Sequence, residues 1–271
     1  MKPTAYGALV TILLGIMETE LAPTIKARDR QVKKHWYGVL IGKRLPSTKP
    51  HKMPPKLDFL RRLFGYVLEI DRTVRLLEEV EFYISHAPKF RGGPSKLSFL
   101  NYHVECHLHE TYILRERIET FLKFLERAYR RDRAINRICR TTKRVRRATK
   151  RVLESAVRVR GEHVHVRRMR APDIERAEFI EDFGSYAPPE LRHKFKYQFE
   201  SAYREARAWR TAQARELNTA CKGLVEFMAA NVLSIIMRRN LEIFTFPPGL
   251  ARVQSVPEET QARASNAETA S

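Results

Sequence analysis

Apolar residues recur at intervals of three and four along most of this chain, which is the spacing of helices with one buried face. From Lys56 to Ala87 the repeat is Leu60, Leu63, Phe64, Val67, Ile70, Val74, Leu77 and Phe82. Gly92-Gly93-Pro94 then breaks the pattern, and Ser95 stands where a helix N-cap belongs, its hydroxyl ready to accept from a free backbone N–H of the first turn. The next helix is predicted from Lys96 to Arg131 on Leu97, Leu100, Val104, Leu108, Thr111, Ile118, Leu122 and Leu125. Another follows from Arg133 to Arg160 on Ile135, Ile138, Thr142, Val145, Val152 and Ala156. Gly161 is a natural stop for it, because glycine takes the left-handed conformation that ends helices at little cost. A short helix is expected near Pro172–Asp182, and Pro188-Pro189 opens a last helix reaching Arg239. At 1.5 Å per residue that helix is roughly 75 Å long, which predicts a kink, placed at Gly223.

The N-terminal apolar run from Tyr6 to Met17 is too short to span a bilayer, and Glu18 and Glu20 follow it where a signal peptide would need small residues. A first buried helix closed by Pro23 is the expectation. Residues 24–56 are rich in Lys, His and Pro, with a short helix or strand around Trp36–Ile41 and a loop to Pro55. Ser255–Ser271 is small, polar and aperiodic, the composition of a disordered tail. Strand-type alternation is nearly absent and no repeat is present. The fold class that follows is all-α, an antiparallel helical bundle with long helices. Its organisation is an N-terminal helix and Pro/Lys-rich connection over 1–55, the bundle over 56–245, and a tail over 246–271. No later stretch reads as transmembrane. Cys106, Cys139 and Cys221 are far apart and form no CxxC pair, which argues for a reducing, cytoplasmic setting and against a disulfide framework or zinc knuckle.

Charge changes the picture. Among 271 residues, 51 Lys and Arg stand against 31 Asp and Glu, a formal net charge of +20. Between Arg127 and Arg170 there are seventeen Lys or Arg and three acidic residues, so most of the excess lies in this one segment. Arg137, Arg140, Arg144, Arg147 and Arg151 fall at helical spacing and make one ridge, flanked by Arg133, Lys143, Arg146 and Lys150. Like charges this close destabilise an isolated helix by roughly 0.2–0.5 kcal/mol per pair, so burial of the opposite stripe, acidic neighbours or a bound polyanion must offset them. Arginine grips phosphate bidentately, and the ridge points to RNA or another polyanion as partner. The plainer alternative is a solvated face that salt-bridges to the rest of the bundle. No zinc-finger spacing or aromatic RNA-binding signature accompanies the ridge, so little sequence specificity is expected from it.

The end of the basic helix reads Arg158-Val159-Arg160-Gly161-Glu162-His163-Val164-His165, two overlapping Arg-x4-His patterns. Here the chain resembles the HEPN-like superfamily, small helical bundles that are often dimeric, many of them metal-independent ribonucleases. The match is best for Arg160 and His165, with Arg158 and His163 as the second pair. Gly161 stands where the family usually has Asn or another polar residue. The resemblance implies RNA as substrate class, a homodimer, and no cofactor. In that chemistry His165 acts as general base or acid at the ribose 2′-hydroxyl or the leaving oxygen, and Arg160 neutralises charge developing on the phosphate. On an unbroken helix the two positions lie about 140° apart, so they converge only if the helix ends near Gly161. Otherwise His163 and His165 extend the phosphate ridge together with Arg167, Arg168 and Arg170.

His103, Cys106, His107, His109 and Glu110 crowd one helix, and His103, His107 and Glu110 share a face at metal-ligand spacing. The segment lacks HExxH and a clear second ligand set, Glu181, Asp182 and His193 being the nearest candidates by type. No metal is therefore assigned, and polar residues of this helix are expected to line the cleft beside Arg160 and His165. No phosphate-binding Gly-rich loop, dinucleotide fingerprint or nucleophile elbow is present. Three readings remain: a HEPN-like RNA-binding protein or ribonuclease, a non-catalytic basic scaffold for nucleic acid or an acidic protein, and a metal-dependent bundle enzyme.

Overall fold

The structure is a computed structural model that describes residues 4–20, 54–86, 95–165, 172–238, 243–244 and 246–248, with the backbone alone at 158–165, 238 and 243–244. The chain is all-α, as its periodicity predicts. Helix α1 covers residues 5–20, α2 is Pro55–Ser85, α3 Lys96–Ala128, α4 Ile135–His165, α5 Pro172–Tyr186 and α6 Pro189–Ile236. Two departures from expectation concern helix ends. α4 runs helical through Gly161 to His165 rather than stopping there. The last helix stops at Ile236, and Met237–Arg238 (β1) pairs antiparallel with Ile243–Phe244 (β2), Met237 facing Phe244 in register. α6 is helical through Gly223. The element expected around Trp36–Ile41, the break at Gly92–Pro94 and the tail beyond residue 248 lie outside the described residues.

Local signals act where the sequence places them. Ser95 Oγ accepts from the Ser98 N–H at 3.1 Å and caps α3. Pro189 opens α6, a position where the missing N–H costs nothing. Asp132 Oδ1 accepts from the Ala134 N–H at 2.7 Å, an Asx turn that starts α4.

Contacts divide the chain into two compact units: Met1–Gly65 with Lys123–Thr142 and Ala230–Ser271, and Tyr66–Leu122 with Lys143–Ala229. In the first, Leu9 and Leu13 of α1 are fully buried, so the N-terminal apolar run is a core helix. Phe59 stacks on Phe124 with ring centroids 5.6 Å apart and meets Tyr129 and Phe246 edge-on. Phe246, expected to begin a disordered tail, is thus packed onto the core.

The second unit shows antiparallel neighbours through its cross-helix pairs. Arg117 of α3 binds Glu69 of α2 (2.8 Å), while Tyr83 of α2 stacks on His103 of α3, so one helix descends as the other rises. Arg146 of α4 donates to Glu119 of α3, and Arg144 of α4 lies over Phe227 of α6. Asp173 of α5 takes both Nε and Nη2 of Arg210 of α6 (2.9 and 2.5 Å). Its core joins Ile84, Leu97, Leu100, Val104, Ile174, Ala202 and Tyr203 from four helices.

One stretch of α6 was not marked by the sequence reading. It holds an 18-residue window of mean hydropathy 1.4, enough by length and composition for a membrane span, and half of that window is buried inside the protein. Cys221, Leu224, Met228, Ala229 and Val232 are among its buried residues, as in the core helix of a bundle.

The buried stripe of α4 is Ile138, Thr142, Val145, Thr149, Leu153 and Ala156. Leu153 and Thr149 join the predicted positions, while Ile135 and Val152 are half-buried. The Leu153→Ala variant is expected to lower unfolding stability by about 2–5 kcal/mol through the cavity it leaves. Arg151→Ala, two residues earlier on the exposed side, is expected to change it by less than about 0.5 kcal/mol. Urea midpoints of the two variants check this, and equal losses would show that α4 is not seated by that stripe.

Candidate nucleic-acid interface

At 100° per residue, Arg137, Arg140, Lys143, Arg144, Arg147, Lys150 and Arg151 fall within an arc of roughly 140° on α4, opposite its buried stripe. All seven are exposed. Helix geometry alone therefore produces the ridge that the spacing predicts. Arg146, on the flank, is half-buried, and its Nε donates to both carboxylate oxygens of Glu119 at 3.1 and 2.9 Å.

The ridge cations differ in how they are held. Arg137 Nη2 donates to the Ser234 carbonyl at 2.7 Å, and Arg140 Nε reaches the Asn136 carbonyl at 3.4 Å. Arg144 lies over the Phe227 ring, 5.4 Å from its centroid. Lys150 stands 3.8 Å from Glu154, a solvent-exposed pair of little energetic weight. Lys143, Arg147 and Arg151 have no ion-pair partner among the described residues. They succeed one another every four residues, about 6 Å apart along the axis. A row of such donors fits the oxygens of a phosphate backbone and does not read bases.

The Arg-x4-His residues fall differently. α4 is unbroken from Arg158 to His165, so the Arg160 and His165 positions lie about 140° apart around one helix, as do those of Arg158 and His163. The helix end that would let either pair converge within one chain is not at Gly161. Arg167, Arg168 and Arg170 lie outside the described residues.

The histidine-rich part of α3 serves packing and hydrogen bonding. His107 is 4% exposed. Its Nε2 lies 2.9 Å from Asn218 Oδ1, and the Asn218 amide nitrogen donates to the Leu77 carbonyl (3.1 Å) and to Glu81 Oε2 (2.8 Å). Because that nitrogen already donates twice, Oδ1 is the acceptor and Nε2 of His107 carries the proton. Arg215 Nε donates to the other oxygen of Glu81 at 3.0 Å, completing a chain from α3 through α6 to α2. Burial lowers the His107 pKa, and the Asn218 bond and the Glu81 charge oppose that only in part. His103 is drawn into ring contacts, and its pKa too is lowered by burial. Among the described residues no group of three His, Cys, Asp or Glu is placed to hold a metal ion. Burial pushes the Cys221 thiol up to about 12, so it is an inert core group.

A cavity of about 370 Å³ opens beside this network, walled by Ile84, Val104, His107, Val152, Ala156 and Arg210 among others. It shows that the 104–108 stretch of α3 lies alongside 152–156 of α4, one turn past Arg151. Asn218 and Glu81, which orient His107, were missed by sequence reasoning. Their partners are 111 and 137 positions distant from Asn218, and no local spacing marks them.

Fold and site together define an all-α bundle with one strongly basic helix face. No protein-family model matches the chain, and no curated protein or solved structure does so either.

The buried network carries a pH dependence. The His107 pKa is lower in the fold than the value of about 6.5 it takes when unfolded, so below that value the unfolded chain binds the extra proton first. Stability is expected to fall as pH drops from about 7 toward 5, with His103 contributing in the same direction. In His107→Gln the slope of urea midpoint against pH is expected to shrink, because the substituted side chain keeps a donor and does not titrate. An unchanged slope would mean that His107 accepts a proton in the fold as readily as in water.

Proposed function

We propose that this chain is a HEPN-like RNA-binding protein that grips the phosphate backbone along the exposed face of α4. One observation carries this reading. Lys143, Arg147 and Arg151 form an exposed line with no carboxylate against them among the described residues, and Arg137, Arg140, Arg144 and Lys150 lie in the same arc of the same helix. Binding is sequence-tolerant in this reading, since the contacts are to phosphate. Binding rather than cleavage is the function the geometry supports, because the unbroken α4 keeps the Arg160 and His165 positions on different sides of one helix.

The test is a salt titration of RNA affinity. Each of Lys143→Ala, Arg147→Ala and Arg151→Ala is expected to weaken binding for all sequences alike and to reduce the slope of log affinity against log salt by about one. Arg75→Ala, an exposed cation paired with Asp71 on α2, is expected to leave the slope unchanged. Equal slopes in all four variants would remove α4 as the interface. In parallel, mixed RNA incubated with the protein in EDTA is expected to remain intact. Cleavage by the wild type that is lost in His165→Ala would instead establish a metal-independent ribonuclease.

A further inference from the structure

Ile84 of α2 and residues of α3, α4 and α6 line the cavity of about 370 Å³ beside His107. All of them belong to the second compact unit. Helix-bundle interiors are close-packed, with few voids larger than a water molecule, so a space of this size needs a cause. Small side chains supply it: Ala156 of α4 and Ala214 and Ala220 of α6 stand on its wall, too short to meet across it. Val104, Val152 and Leu217 add apolar surface. The deeply buried polar group of the wall is His107, 4% exposed. With Nε2 donating to Asn218, Nδ1 is the acceptor of the ring, and it makes no hydrogen bond among the described residues. Arg210 also stands on the wall, but its donors are committed: Nε and Nη2 to Asp173, and Nη1 to Gln213 Oε1 at 3.0 Å. Ser155, Gln213 and Glu216 are exposed and form the solvent side of the opening.

We infer that this cavity is a binding site for a small, uncharged, mostly apolar ring compound whose single N–H or O–H donates to Nδ1 of His107. The volume lies in the range of small-ligand pockets, and an apolar wall with one placed polar group is how such pockets join affinity to orientation. The polar groups decide the chemistry of the occupant. A neutral imidazole whose proton is held by Asn218 offers the cavity an acceptor, so the ligand must donate. An anion finds no unneutralised cation, because Asp173 holds Arg210, and it would pass Glu216 on the way in. A cation would shed its water beside Ile84, Val104 and Leu217, where among the described residues the wall holds no buried carboxylate to receive it. Water satisfies Nδ1 but gains nothing from the apolar wall, which only a ligand of matching surface covers. The site is separate from the basic face, since Val152 and Ala156 lie on the other side of α4 from Lys143, Arg147 and Arg151. It therefore stands or falls independently of RNA binding.

The experiment measures equilibrium binding of indole and indene to the full-length protein. The two probes share a fused-ring shape, and only indole carries an N–H. The wild type is expected to bind indole roughly 10-fold tighter than indene, the worth of one buried hydrogen bond to an otherwise unpaired acceptor. In His107→Leu the ratio is expected to fall to about one. That variant also strips Asn218 of a partner, so the wild-type ratio and a cavity-filling variant are read beside it. Ala156→Leu/Ala220→Phe, which fills the space from two walls, is expected to weaken both probes by roughly 10-fold or more while its thermal midpoint holds or rises. Failure of the wild type to bind either probe at millimolar concentration overturns the site. Equal affinity for the two probes overturns the pairing with His107, as does a preference for indole that survives in His107→Leu. A filled variant that binds indole as the wild type does places the ligand elsewhere and overturns the cavity as its site.

Discussion

The burial of one narrow stripe of α4 is what allows eight cations to stand on 23 residues of a single helix. From Ile135 to Val157 the only acid is Glu154, so neighbouring turns repel along the whole ridge. Ile138, Val145, Leu153 and Ala156 hold the helix down, and Thr142 and Thr149 satisfy their hydroxyls locally while doing so. Each repelling pair costs a few tenths of a kcal/mol, and one buried leucine contributes roughly 1.5–3. The stripe therefore wins, and the basic face is tolerated as part of a stable fold. Toward the buried side, Arg146 is neutralised by both oxygens of Glu119, and Arg137 donates to the Ser234 carbonyl. Those farthest from it, Lys143, Arg147 and Arg151, stand exposed.

A second constraint is the buried polar chain through Asn218. Its amide joins α6 to α2 through the Leu77 carbonyl and Glu81, and to α3 through His107. Every donor in that chain meets an acceptor, which is the condition for polar groups to sit in a core without penalty. The same arrangement fixes the proton on His107 Nε2, while burial keeps the ring neutral against the pull of Asn218 and Glu81. It also aligns α3 and α2 against α6.

Several elements were legible residue by residue. Ser95 caps α3, Pro189 opens α6, and most positions of the α2, α3 and α4 stripes are buried, with Phe82 exposed instead, since each depends on chemistry within a few residues of itself. The ridge of α4 was legible for the same reason: helical spacing puts residues four apart on one face whatever surrounds them. Two expectations about ends did not hold. Gly161 lowers helix stability yet does not terminate α4, because glycine inside a helix costs only about 1 kcal/mol and ends it only where the following chain needs the left-handed turn. The expected helical end of α6 gives way to a two-residue strand, because Met237–Arg238 finds a pairing partner in Ile243–Phe244.

The sequence by itself determined that this protein is helical, where most of its helices begin, and that its charge lies along one of them. These are properties of near neighbours, set by propensity, capping and periodicity. The tertiary structure decided which of the histidines is buried and what orients it. It decided which arginines are consumed by acids from other helices, and it brought Phe82, Tyr83, His86, Phe99, Tyr102 and His103 together at one end of a helix pair. Those outcomes depend on the antiparallel packing of helices distant in the chain, whose register is set by summed core contacts that no local pattern reveals.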